Sequence, residues 1–199
     1  KKESKMKKMK INEAVFQEVK KSNGQILVVT KYWNKEETEN ILSFCEKNYA
    51  DTFFGLGENR IKSLEIKKLP REKVHFIGNI QSKKIAKIVE YASVIHSLES
   101  LKNAQIFNEI MEQKFPTEKL KVFLQIKLDS EKNHGILPED FPQFLLEMNQ
   151  FRYLEICGIA GMGKYICEES EKRDEFLLLN KLRDSFLSSK KISAGTSHD

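Results

Sequence analysis

Short apolar runs rich in β-branched and aromatic residues recur along this chain at 26–30, 52–56, 74–78, 93–97, 122–126, 154–159 and, more weakly, 191–193. Their starts lie about 19 to 37 residues apart, which is the rhythm of βαβ units. Parallel strands need a crossover of a dozen or more residues, and the stretches between these runs have that length. Helical patterning is predicted over 83–91, 101–114, 139–149 and 170–188. Ile11, Val15, Phe16 and Val19 predict an opening helix, stopped by Ser22-Asn23-Gly24. Asn34 is predicted to cap the helix after the first strand, with Glu36 and Glu37 in its first turn and Ile41, Leu42, Phe44 and Cys45 as its apolar stripe. Seven strands exceed the five or six of the common doubly wound sheets. The count therefore leans toward a TIM-barrel-like (β/α)8 fold, one strand short.

At 199 residues the simplest organisation is one domain over 1–199, with a basic, amphipathic helix at 1–25 leading into it. No apolar run approaches the roughly 18 residues of a membrane-spanning helix, and the basic start is not followed by a secretory pattern. Cys45, Cys157 and Cys167 match neither a disulfide framework nor a zinc spacing, and no metal site is expected; a reducing cytoplasm fits them. The formal charge of +5 sits entirely in residues 1–21, which hold eight lysines and three glutamates, so the body is neutral. With no aromatic-interleaved basic patch downstream, neither nucleic acid nor a membrane is the expected partner.

The chemistry gathers at the carboxyl ends of the strands. The first run, 26–30, does not alternate polar with apolar, so it predicts a strand buried on both faces, and Lys31 closes it. A desolvated lysine amine can attack an aldehyde to form an imine; a solvated strand-end lysine is the plainer alternative. Other strands end in Gly57-Glu58-Asn59, Gly78-Asn79-Ile80-Gln81-Ser82, His96-Ser97, Gly161-Met162-Gly163 and Gly195-Thr196-Ser197. Glycines let backbone amides approach a ligand, and amides with hydroxyls suit a phosphate. Glu58 reads as a helix-start carboxylate, Arg60 as a partner of a surface acid, and Trp33 as packing near the mouth of the site. His75, second in an apolar strand, reads first as a packed, hydrogen-bonded histidine.

Val29-Thr30-Lys31, Gly57-Glu58-Asn59-Arg60, residues 75–83, His96-Ser97-Leu98 with Leu101-Lys102, and residues 193–199 occur in an order that resembles the pyridoxal-phosphate homeostasis proteins. These are single-domain relatives of the N-terminal barrel domain of alanine racemase. The resemblance covers roughly residues 11–199, and 75–83 is its most specific stretch. It implies a modified TIM barrel in which Lys31 holds pyridoxal 5′-phosphate as an internal aldimine, its pKa lowered by burial. It further implies that Asn59 lies near the cofactor ring or lysine. Ser193, Gly195 and Ser197 would line the phosphate side, with Ser197 the favoured phosphate contact. His75 is counted with the cofactor-binding residues because it stands in the most specific stretch.

The sequence departs from the family pattern at several places. Ile159-Ala160 replaces a usual Leu-Met pair, Asn133-His134-Gly135 follows Lys132 where Lys-X-Gly is common, and Ala194 and Thr196 replace methionines. Family members continue past the Asp199 position through a helix, an eighth strand and a final helix. A barrel lacking that closing strand and helix, with two unpaired edges, is the expectation for the sequence as it stands. The function implied is a monomeric, non-catalytic carrier that binds, buffers or delivers the cofactor, with pyridoxal-phosphate-dependent apo-enzymes as partners. The alternatives are an amino-acid racemase, which needs a proton carrier on each face of the substrate, an imine-forming aldolase, and a shortened barrel with impaired cofactor binding.

Overall fold

A computed structural model describes residues 11–128, 134–163 and 169–196; Lys132, Asn133, Cys167 and Ser197 lie outside the described residues. Within them, seven parallel strands form one sheet: β1 (Ile26–Val29), β2 (Phe53–Glu58), β3 (Val74–Phe76), β4 (Val94–Leu98), β5 (Leu120–Ile126), β6 (Leu154–Gly163) and β7 (Lys191–Thr196). Spatial order equals chain order. Helix α1 (Glu13–Lys21) precedes β1, and α2 (Lys35–Asn48), α3 (Ile61–Lys67), α4 (Ile85–Tyr91), α5 (Leu101–Lys114), α6 (Phe141–Met148) and α7 (Glu169–Phe186) fill the crossovers. Crossovers of one hand between successive neighbours put the helices on one face and curl the sheet. Side chains meeting across the concave face show the curl. His96 on β4 reaches Ser193 on β7 at 2.7 Å, and Lys191 at the start of β7 bonds Gln25, just before β1. This is the predicted TIM-barrel-like architecture, with β1 and β7 unpaired to each other among the described residues.

Local signals explain the elements nearest the site. Asn34 caps α2 in a reciprocal box: its side chain accepts from the Glu37 amide, and the Glu37 carboxylate accepts from the Asn34 amide, each at 2.9 Å. Thr38, Ile41, Leu42 and Cys45 are the buried stripe that seats α2 on the sheet. Along β3, Val74 and Phe76 face the helices while His75 faces inward, the period-two alternation of a strand. The main core lies between sheet and helices. A second, small cluster of Val94, Phe123 and Ala160, with Phe54 and Cys157 beside it, fills part of the concave side.

One expectation fails at β1. It is half-buried rather than buried on both faces, and Val29 is 45% exposed. Ile26 and Val28 pack against the core, but Leu27 and Val29 face a cavity on the concave side at an unpaired sheet edge.

Candidate functional site

Lys31 follows β1 after one residue, Thr30, at the centre of a turn closed by the Trp33 amide bonding the Thr30 carbonyl at 3.0 Å. It is half-buried on the cavity wall, with its amine 5.0 Å from the centroid of the Tyr32 ring. The enclosure expected of this amine is thus only partial, because the wall beside it is the sheet edge. Trp33 packs against the main core, and Tyr32, 74% exposed, takes the mouth.

Next to the Lys31 turn lies a buried group of Thr30, Glu58 and Lys67, of which the sequence reading did not single out Lys67. Glu58 is fully buried at the end of β2 and pairs with Lys67, itself 2% exposed on α3. Thr30 donates its hydroxyl to Glu58 Oε1 at 2.5 Å, and Lys67 Nζ donates to the Thr30 carbonyl at 2.7 Å. This corrects the reading of Glu58 as a helix-start carboxylate: β2 runs two residues further than predicted and carries Glu58 under the site. The available signal was a lysine three residues after Leu64 on the inward stripe of α3. Arg60 also differs from expectation. It lines the cavity, and no carboxylate of the described residues pairs with it.

Asn59 stands on the same wall, and its Oδ1 is buried with no hydrogen-bond partner. Gly78 fixes its backbone from the bend after β3: a Cβ at Gly78 would fall 2.1 Å from the Asn59 carbonyl oxygen, so only glycine allows the approach. His134 closes the rim, 3.2 Å from both Asn79 Nδ2 and Glu99 Oε1.

His75 does not line the cavity. It sits behind His96, with Nδ1 2.8 Å from His96 Nε2, and His96 Nδ1 lies 2.7 Å from Ser193 Oγ. The two rings and the hydroxyl thus form a hydrogen-bonded chain, His75–His96–Ser193, in which each neutral imidazole donates from one nitrogen and accepts at the other. Burial, then the neighbouring His96 and the charges of Lys121 and Lys191, push His75 down to about 3. Burial pushes His96 down to about 4, and its ring stacks on Phe123 with centroids 4.4 Å apart. Both rings are therefore neutral near pH 7. His75 is thus a packed, hydrogen-bonded histidine one side chain behind the cavity lining. Ser193 lines the cavity with its hydroxyl hydrogen-bonded to His96.

The cavity has a volume of about 1400 Å³. It brings together Lys31, Asn59, His96, Ser193 and Gly195 of the predicted strand-end set, with Ser97 and Gly78 alongside. Its described lining carries five cationic residues, Lys31, Arg60, Arg183, Lys190 and Lys191, and no carboxylate. In a body whose net charge is zero, that concentration favours an anionic ligand. The wall near Gly195 is open, since an added Cβ there would meet nothing within 4 Å.

No family model matches the sequence. A pyridoxal phosphate homeostasis protein of Pseudomonas aeruginosa is 32% identical over 150 residues, 72% of this chain and 64% of that protein. A human protein of the same name is 27% identical over 182 residues, 88% of this chain and 62% of that protein. The chain thus spans less than two thirds of the length of these relatives. Among solved structures, PipY of Synechococcus elongatus with PLP bound superposes with a TM-score of 0.68 at 23% identity, covering 94% of this chain and 90% of PipY. Alanine racemase of Clostridium difficile gives a TM-score of 0.67 at 16% identity, over 94% of this chain and 53% of the enzyme. The curled parallel sheet with its strand-end lysine is therefore a barrel of the alanine racemase N-terminal type. More narrowly, the chain is similar in sequence to the pyridoxal phosphate homeostasis proteins.

Proposed function

We propose that this chain binds pyridoxal 5′-phosphate through an imine on Lys31 and holds or delivers it, contributing to intracellular homeostasis of the cofactor without catalysis of its own. The observation that carries the reading is a cavity wall with five cations and no carboxylate among its described residues, one of the cations being a half-buried lysine at a strand end. Lys31 would hold the group through Nζ, an amine that can condense with an aldehyde with loss of water. The bound group supplies an electron sink; the protein supplies its position. The residues present fit the group, since the five cationic residues of the described lining suit its phosphate and Lys31 its aldehyde. Ser193, Gly195 and Ser197 would form the wall on the phosphate side, with Ser197 the donor and Arg60 a further cation. His75 supports this wall through His96. The chain acts as a monomer in the cytoplasm, with pyridoxal-phosphate-dependent apo-enzymes as recipients.

Racemisation is the second reading, and the site gives it little. A proton carrier must stand on each face of the substrate. The only tyrosine among the described lining residues is Tyr32, adjacent to Lys31 in the chain and beside its amine. Titration with pyridoxal 5′-phosphate, followed by imine absorbance, should saturate at one equivalent and vanish in Lys31→Ala. An absorbance spectrum with no imine band would overturn the carrier reading and leave a barrel with impaired binding. Incubation of the loaded protein with L-alanine should leave it unracemised; D-alanine in the mixture would favour the enzyme.

A further inference from the structure

We propose that Lys67 and Glu58 are positioning residues for Lys31, locking the turn that carries it; this rests on Lys31 as the reactive amine of the proposed function. Every polar atom of Thr30, the residue before Lys31, is tied down. Its amide donates to the Gly57 carbonyl at 3.0 Å, its hydroxyl to Glu58 Oε1 at 2.5 Å, and its carbonyl accepts from both the Trp33 amide at 3.0 Å and Lys67 Nζ at 2.7 Å. Lys67 also donates to Glu58 Oε1, so one ammonium joins the turn's carbonyl to the end of β2. Beyond the turn, the Asn34 capping box anchors the chain to α2. Lys31 thus projects from two residues of backbone clamped at both ends.

A plain packing role does not account for this arrangement. Lys67 occupies the inward stripe of a seven-residue helix, where an apolar side chain would fill the space without desolvating a charge. Nor is the pair saturated: Glu58 Oε2 is buried with no partner, so the carboxylate is held for the two bonds made by its other oxygen. What both bonds share is Thr30. Holding an attacking amine in one geometry lowers the entropy lost when the imine forms.

The test compares the full chain with Lys67→Met, Glu58→Gln and the double variant. The double variant matters because either single change leaves one buried polar partner uncompensated, and the single variants can fail to fold. Two readouts apply to Lys31, both taken well below each melting temperature. One is the pH profile of its acylation by an amine-directed reagent, referenced to the exposed Lys35 in the same chain. The other is the fraction fixed by borohydride in the presence of pyridoxal 5′-phosphate. In a double variant that melts cooperatively, the Lys31 acylation rate relative to Lys35 should change by about tenfold, with the borohydride-fixed fraction falling by a similar factor. A folded double variant with an unchanged profile and unchanged fixation would overturn the proposal. A changed profile in a protein whose wild type fixes no pyridoxal phosphate would support the clamp and defeat the cofactor reading instead.

Discussion

The two faces of the curled sheet are built on opposite rules. Between sheet and helices, side chains such as Leu56, Phe76, Ile95, Leu98, Phe107 and Val122 are fully or almost fully buried and make no polar contacts. On the concave side the apolar cluster is small, Phe54, Val94, Phe123, Cys157 and Ala160, and around it stand His75, His96, Ser193, Asn59 and the Lys31 turn. The outer layer carries the stability of the domain through burial of area. The inner face gives up part of that area to a cavity, and its order comes from hydrogen bonds such as the His75–His96–Ser193 chain. The fold is thus stabilised on one face and chemically equipped on the other.

The largest contrast should come from truncation. Phe107→Ala in the outer layer should cost about 3–5 kcal/mol in denaturant unfolding, whereas Val29→Thr on the cavity wall should stay within about 0.5 kcal/mol. Equal losses would erase the distinction between the faces. Acid is the next lever, and on the inner face it acts through the two buried histidines. Unfolded histidine titrates near 6.5, while His75 and His96 hold values of about 3 and about 4 in the fold. Below pH 6.5 the unfolded chain takes up protons that the folded chain refuses. The stabilisation is complete above that pH and is lost as pH falls toward 4. The expected loss is about 2 kcal/mol per histidine between pH 6.5 and 5, read as a fall in melting temperature that His75→Gln should roughly halve.

Gly55→Ala should follow at about 1–3 kcal/mol. Its new Cβ would lie 2.5 Å from His75 Nε2 and would push the ring out of the chain to His96 and Ser193. Near-UV circular dichroism, sensitive to the Phe123 and Phe54 rings packed around the histidines, should change with it. The smallest effect belongs to Gly195→Ala, where nothing stands within 4 Å of the added carbon. Stability should hold within about 0.5 kcal/mol while affinity for pyridoxal 5′-phosphate falls. Affinity that does not move would remove Gly195 from the phosphate side.

The outer layer is also the part that the sequence makes legible. Its residues follow periods of two and 3.6, so helix α5 is predicted at 101–114, and the structure has it at Leu101–Lys114. Asn34 is readable as a cap because its partner, Glu37, is three residues away. The inner face depends on pairs distant in the chain. His75 to His96 spans 21 residues, His96 to Ser193 spans 97, and Lys67 to Thr30 spans 37. No local pattern encodes such pairs. A buried histidine or lysine looks the same in sequence as a solvated one until the curl brings its partner in. Strand-end residues were recognisable as a set, but which of them touch the cavity depended on side-chain direction. His75 lay one layer too deep, and Arg60 faced the cavity instead of a surface acid.

The central claim is that Lys31, held on a cavity wall whose described residues include no acid, is the one lysine built to carry an aldehyde. The direct test is borohydride reduction of the full chain with one equivalent of pyridoxal 5′-phosphate, followed by peptide mass spectrometry. The account predicts one adduct per chain, on the peptide containing Lys31. An adduct spread among exposed lysines such as Lys35 and Lys47, or none above the level of Lys31→Ala, would contradict it.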